Sequence, residues 1–267
     1  MTEYINNGKN IVSDIYEKYD ENSRLINSRH GQLEYFTTME YIHKYLKNGA
    51  KILEIGAGTG RYSIALALEG YDITAIELVN KNFLKLKENS KDIKNIKSYQ
   101  GDALNLTRFS NESFDVVLSL GPMYHLYTQD DQLRAIDEAL RVCKKNGIVM
   151  FAFIPIHAII YCAWMQDNEV GDGIRENFTE HFKPRQYKEQ GFTGFEISDF
   201  KKLFKNKNVK SLKLIATDSV LEIEEDRKNF SIPDKDWDLF KRYHLSTCEK
   251  PELQGLSSHL LYIVKKL

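Results

Sequence analysis

An α/β fold, with a mostly parallel sheet and helices on both faces, follows from three features of the 267-residue sequence. Short apolar strands alternate with helical segments from residue 50 onward, the signature of βαβ units winding a parallel sheet. A glycine-rich turn in "ILEIGAGTGRYS", residues 52–63, joins the first strand to the first helix. Acidic residues close the first three strands one after another. A chain of this length buries roughly three quarters of the surface it exposes when unfolded, enough for one elaborated domain or two small ones.

Each element has its own signal. "KILEIG" is the first strand, followed by a helix from Arg61 to about Glu69 and by Gly70, which supplies a left-handed stop. "DITAIEL" leads to a helix over 81–89, and "NIKSYQGD" and "SFDVVLSLG" are the third and fourth strands. The next helix has the plainest start. Thr128 and Asp131 form a capping box, Leu133, Ile136 and Leu140 make its buried stripe, and Lys144 and Lys145 sit at its negative end before Gly147.

The segment 147–165, "GIVMFAFIPIHAIIYCAWM", carries no formal charge for roughly the length of a bilayer span. A buried parallel strand over 148–154, broken at Pro155 and followed by an apolar lid, accounts for it better, because strands covered on both faces read as continuous apolar runs. "ISDFKKLFKN" is a helix begun at Ser198, "VKSLKLIATD" a sixth strand, and "HLLYIVKK" a last strand at an edge or antiparallel position. Residues 1–48, 156–195 and 220–256 stand outside the alternation. They are expected to be an N-terminal helical cover and two lid insertions over the strand ends where open α/β sheets bind ligands, with residues 49–267 forming the main domain.

Composition narrows the partners. With 37 basic and 38 acidic side chains the net charge is −1, which gives no electrostatic footprint for nucleic acid and leaves a small molecule as the expected ligand. Cys143, Cys162 and Cys248 are widely spaced, with no C-x-x-C pair for a disulfide framework or a metal site. The N-terminal "MTEYINNGKN" lacks the layout of an export signal. A cytoplasmic setting without a membrane partner is the expectation.

The turn itself is E-x-G-x-G-x-G, with Gly56, Gly58 and Gly60 following Glu54. Glycines let a backbone approach a ligand closely. A dinucleotide fingerprint would place its third glycine one residue later, where Arg61 stands. A carboxylate at Glu54 repels a pyrophosphate and favours an ammonium group. Glu77 ends the second strand about twenty residues on, where a carboxylate accepts from both ribose hydroxyls, and Asp102 ends the third, placed to accept from an exocyclic amine. An amine, a diol and an amino-purine match these acids in order.

On these residues the sequence resembles the class I S-adenosylmethionine-dependent methyltransferases over about residues 50–154. "LEIGAGTG" is similar to their first motif, "AIEL" to their ribose-binding acid, "GDAL" to their adenine-binding stretch and "FDVVLSLGPMYHL" to the strand-four motif beside the methyl group. The resemblance implies a Rossmann-like seven-stranded sheet with an antiparallel last strand, and S-adenosyl-L-methionine as cofactor. It further implies that Glu54 and the backbone of Gly56, Ala57 and Gly58 hold the methionine end, Glu77 with Leu78 the ribose, Asp102 with Ala103 the adenine, and Leu120 the donor methyl. In the segment "IYEKYDENSRLINSRHGQLEY", Tyr19 corresponds to a tyrosine over the sulfonium, and Arg24 or Arg29 to a partner of the methionine carboxylate.

For chemistry, His125 in "GPMYHL" is the candidate base, with an ordinary pKa near neutrality, and Tyr124 the candidate for orienting the acceptor; the same residues would also pack the start of the following helix. His157 and His181 are weaker candidates in the lid, and His30, His43, His244 and His259 read as surface or packing residues. Gly121 stands where nucleobase amino-methyltransferases carry an asparagine, which argues against that activity. Tyr161, Trp164, Phe178, Phe182 and Tyr187 would enclose a planar acceptor or simply pack the lid. The expected activity is methyl transfer to a small molecule; a tRNA or nucleoside methyltransferase and a non-catalytic S-adenosylmethionine-binding protein are the alternatives.

Overall fold

The computed structural model describes residues 11–165, 167–187, 189–225, 227 and 229–267; the N-terminal decapeptide, part of the expected cover, lies outside them. Seven strands form one sheet in the order β3-β2-β1-β4-β5-β7-β6. They are β1 (Lys51–Ile55), β2 (Asp72–Glu77), β3 (Ile96–Gln100), β4 (Phe114–Ser119), β5 (Cys143–Phe153), β6 (Val209–Ala216) and β7 (Leu260–Lys266). β1 through β5 pair in parallel, while β7 runs antiparallel to both β5 and β6. The expected fold class is therefore observed.

Helices surround the sheet. α1 covers residues 11–18; α2 (Arg24–Asn27) and α3 (Arg29–Tyr45) complete the N-terminal segment. α4 (Arg61–Leu68), α5 (Asn80–Asn89) and α6 (Gln129–Val142) follow β1, β2 and β4. The 156–195 segment holds α7 (Ile156–Ile159), a π-helical turn over Ile160–Trp164, and α8 (Val170–Asn177). α9 (Ile197–Lys202) precedes β6, and α10 (Leu221–Glu225), α11 (Asp234–Thr247) and α12 (Pro251–Gln254) separate β6 from β7.

The apolar run that suggested a membrane span is resolved by this arrangement. Val149, Met150, Phe151 and Phe153 of β5 are fully buried between β4 and β7, and Phe153 stacks on Phe200 of α9 with ring centroids 3.8 Å apart. Pro155 then turns the chain into α7. No helix among the described residues is long and apolar enough to cross a membrane.

Two boundaries differ from expectation. β5 begins at Cys143, so Lys144 and Lys145 lie in an extended segment rather than at the end of α6. Lys144 Nζ reaches Asp115 Oδ1 on β4 at 2.7 Å, a cross-strand pair that competes with helix capping. α9 begins at Ile197 with Glu196 before it, so Ser198 lies inside the first turn and caps nothing. At α6 the Thr128 hydroxyl accepts from the Asp131 N–H at 3.1 Å and donates to the Asp131 carboxylate at 2.8 Å, closing the box through side chains.

Candidate cofactor and acceptor site

The glycine turn leaves β1 and must pass between β2, α5 and the chain beyond β4. Gly56, Gly58 and Gly60 all adopt positive φ, at 75°, 56° and 94°, a region open to glycine at little steric cost. Space is as restrictive as conformation. A Cβ on Gly56 would lie 2.8 Å from Pro122 Cδ, and one on Gly60 2.4 Å from Leu86 Cδ1. The N–H groups of Gly56 and Ala57 both donate to the Ile76 carbonyl at 2.9 Å, tying the turn to β2. Glu77 completes the fastening, since Oε2 accepts from Gly58 N–H at 2.8 Å and Oε1 from Val79 N–H at 2.7 Å. Each carboxylate oxygen keeps lone-pair capacity for a further donor.

A cleft open at its mouth lies over these strand ends, where open α/β sheets take their ligands. Arg24, Glu54, Gly56, Ala57, Gly58, Glu77, Leu78, Asp102, Ala103, Leu120, Tyr124 and His125 all line it. Tyr19 does not. Its side chain is 43% exposed and borders a separate depression beside Lys81 and Lys85. Tyr16, one helical turn earlier, lines the cleft instead, because α1 presents that face inward. Arg29 is likewise elsewhere, paired with Asp234 and lying over the Trp237 ring at 4.6 Å.

The acids carry unusual proton affinities. Glu54 is 1% exposed and accepts from the Ser63 hydroxyl; burial, aided by Glu77 and Glu21 and opposed by Ser63, pushes its carboxyl up to about 8. Burial also raises Glu77 to about 7, against the backbone N–H bonds that favour its charge. Glu21 reaches over the turn, its Cγ 3.2 Å from where a Gly58 Cβ would sit, and burial raises its carboxyl as well. A buried group that strains against its own ionisation gains most when a cation arrives. Asp102 Oδ1 accepts from Leu104 N–H at 2.9 Å, fixing the loop after β3.

At the other end, His125 closes a short 3₁₀ turn over Pro122–His125. Its Nδ1 lies 3.1 Å from the Gly191 carbonyl and its Nε2 3.1 Å from the Tyr16 hydroxyl. A carbonyl only accepts, so Nδ1 carries the proton and Nε2 accepts from Tyr16. Burial pushes the imidazole down to about 4, which corrects the expectation of a base poised near neutrality. Tyr124 donates to the Leu120 carbonyl at 3.0 Å and packs edge-on against His125.

Residues 53–151 match the family model described as "Methyltransferase domain". That stretch is a methyltransferase domain. Over 116 residues, 42% of this chain and 43% of the relative, it is 33% identical to a glycine/sarcosine N-methyltransferase of Aphanothece halophytica. Over 144 residues, 52% of this chain and 57% of the relative, it is 32% identical to a demethylmenaquinone methyltransferase of Staphylococcus haemolyticus. The chain thus spans about half the length of these curated relatives. A crystal structure of an S-adenosylmethionine-dependent methyltransferase from Methanosarcina mazei shares the fold at a TM-score of 0.55 and 15% identity, covering 85% of this chain and 97% of that one. S-adenosyl-L-methionine is the cofactor of such a domain, and the glycine cradle with its three strand-end acids fits it.

Sequence reasoning missed a charged network beside this methyltransferase cleft. Arg24 binds both oxygens of Glu34, at 2.6 and 3.2 Å, and Glu21 at 3.3 Å. His259 Nδ1 lies 3.0 Å from Asp218, which also accepts from Ser257 and Ser258. Burial alone would lower His259, but Glu34 and Asp218 outweigh it and raise the imidazole to about 9. His259 is therefore neither a surface nor a simple packing residue. No spacing in the sequence links positions 24, 34, 218 and 259; only the fold brings them together. Of the lid aromatics, none lines the cleft, and Phe182 is 70% exposed. Phe192 of the same segment packs on His125 at 5.1 Å and Tyr124 at 6.0 Å between centroids, supporting those two lining residues without lining the cleft itself.

Proposed function

We propose that this chain transfers the methyl group of S-adenosyl-L-methionine to a small-molecule acceptor. One observation carries the reading: Glu54, Glu77 and Asp102 line a single cleft around the glycine turn, and the end of that cleft beyond β4 is walled by Leu120, Tyr124 and His125. When bound, S-adenosyl-L-methionine supplies an electrophilic methyl group on a sulfonium. In this reading Glu54 and the turn backbone receive its methionine end, Glu77 and Leu78 its ribose, Asp102 and Ala103 its adenine, and Leu120 borders the methyl. Tyr16, rather than Tyr19, covers that end, and Tyr124 and His125 position the acceptor. The protein's task is then mainly to hold nucleophile and methyl in line at about 3–3.5 Å, from which most of the acceleration comes.

The segments 11–48, 156–195 and 220–256 serve in this reading as covers over the domain; α1 and the Gly191–Phe192 stretch already meet at His125. Cys143, Cys162 and Cys248 form no disulfide among the described residues, which suits a cytoplasmic setting.

Calorimetry with S-adenosylhomocysteine, followed by incubation with labelled cofactor and a metabolite extract, tests the proposal. Binding and a labelled small product are expected. Binding without any product would make the chain a non-catalytic cofactor binder, and label appearing only in added tRNA would make it a nucleic-acid enzyme. Stronger binding of NADH than of S-adenosylhomocysteine would overturn the cofactor reading altogether.

A further inference from the structure

The end of the cleft beyond β4 is walled by rings and hydrogen-bond acceptors, not by cations free to meet an acid. Around His125 the ring centroids of Tyr124 and Tyr16, which line the cleft, stand at 4.9 and 5.6 Å, and Phe192 packs on the same imidazole at 5.1 Å without lining the cleft. His125 holds its proton on Nδ1 against Gly191 and accepts at Nε2 from the Tyr16 hydroxyl, which leaves the Tyr16 oxygen as the acceptor on this wall of the cleft. Among the described residues, the charged groups lining the whole cleft are five acids and two arginines, Arg24 and Arg61. Arg24 is engaged by Glu34 and Glu21, and Arg61 lies over the Tyr35 ring, 4.7 Å from its centroid.

Building on the methyl-transfer reading above, we propose that the acceptor is a small amine without a carboxylate, methylated on nitrogen. Charge flow decides between acceptor classes. An amine sheds one proton to water before it reacts; its nitrogen lone pair then forms the N–CH₃ bond while the CH₃–S bond breaks and leaves its electron pair on sulfur. The positive charge migrates from sulfur to nitrogen and is never destroyed. With Glu54, Glu77 and Asp102 given to the cofactor, Glu21 and Asp131 remain as lining acids that favour that cation at both stages, and no protein base is required.

A hydroxyl acceptor has the opposite requirement, because its proton must be removed as the bond forms, by a base whose pKa lies near the working pH. His125, held down to about 4 by burial, is not such a base. A carboxylated acceptor would meet the acidic excess with no unengaged cation at the ring-walled end. The Tyr16 oxygen, which gives its own proton to His125 Nε2 and keeps its lone pairs, instead suits an N–H group of an amine, and the Tyr124 and Tyr16 rings suit an adjoining apolar or aromatic framework and a cation over their faces.

A metabolite extract separated on cation and anion exchangers at neutral pH tests this, using the full chain and methyl-labelled cofactor. Label is expected in the cation-exchanger fraction, about tenfold above the anionic fraction, with mass spectrometry placing it as N–CH₃. Equilibrium dialysis of the same extract against the complex with S-adenosylhomocysteine, where no transfer occurs, should retain cationic metabolites. Label or retention confined to the anionic fraction, or an O–CH₃ or C–CH₃ product, overturns the amine proposal and leaves the transfer reading intact. Label in no fraction, with S-adenosylhomocysteine still binding, overturns the transfer reading and this proposal with it.

Discussion

Glu77 illustrates how one side chain serves fold and ligand together. Its two oxygens each accept one backbone N–H, from Gly58 and Val79, and so hold the turn in the shape that a ribose would meet. Replacing it by alanine would orphan both N–H groups and confuse folding with binding. Glu77→Gln keeps an acceptor for one of them while removing the charge, and hydrogen bonds to charged acceptors are worth about 1.5–3 kcal/mol each. S-adenosylhomocysteine affinity is expected to fall about tenfold or more in calorimetry, with the thermal transition close to that of the parent. His125 yields a second test at this scale. With its imidazole at about 4, kcat/KM should show no inflection near the ordinary histidine value of about 6.5. A limb there that disappears in His125→Asn would mean that the ring is released to titrate in the working enzyme.

Among the elements, α1 depends on a single lysine for its seat. Lys81 Nζ, at the start of α5, lies 3.0, 2.7 and 3.4 Å from the carbonyls of Tyr16, Glu17 and Tyr19, where α1 ends. A cation at the negative end of a helix contributes about 0.3–1 kcal/mol, and these carbonyls otherwise have no helical partner. Lys81→Met should therefore loosen the helix that carries Tyr16 without touching the cleft. Faster hydrogen exchange over residues 11–19 is expected, with binding weakened about two- to fivefold; unchanged exchange would show that Tyr16 and its neighbours hold α1 unaided.

Elements also mark where the sequence stops being legible. The strands, the turn and the three acids could be read because each sits at a fixed offset within a local repeat, apolar run to glycine turn to helix. β5 could be read despite its membrane-like composition, because a parallel sheet needed a strand buried on both faces. Tyr16 could not be told from Tyr19 by spacing, since the choice depends on how α1 lies against a histidine 109 positions away. Phe192 and the Arg24–Glu34–His259–Asp218 network are equally non-local, joined by loops whose sequence carries no period.

At the scale of the whole molecule, the cleft's chemistry should appear in its stability. Glu54 and Glu77 are raised from about 4.5 to about 8 and about 7, and His259 from about 6.5 to about 9. A group whose folded pKa is raised holds protons that the unfolded chain has released, so its contribution is complete below the unfolded value and lost as pH rises through the folded one. For the two glutamates that window runs from about 4.5 to 7 or 8; for His259 it runs from about 6.5 to 9. His125, lowered to about 4, acts in the opposite sense, but only as pH falls below about 6.5. Between pH 7 and 9 the ligand-free protein should therefore lose stability steadily. A ligand whose ammonium group pairs with ionised Glu54 and whose ribose hydroxyls donate to ionised Glu77 should reverse the loss, so the rise in Tm given by saturating S-adenosylhomocysteine should grow over the same interval. Glu54→Gln separates the contributions: the buried carboxyl no longer has to ionise, the fall in Tm from pH 7 to 9 should flatten, and the gain from ligand should shrink. A ligand-free Tm that is level across this range, measured by scanning calorimetry, would mean that water already reaches Glu54 and that the cleft is more open than its burial describes.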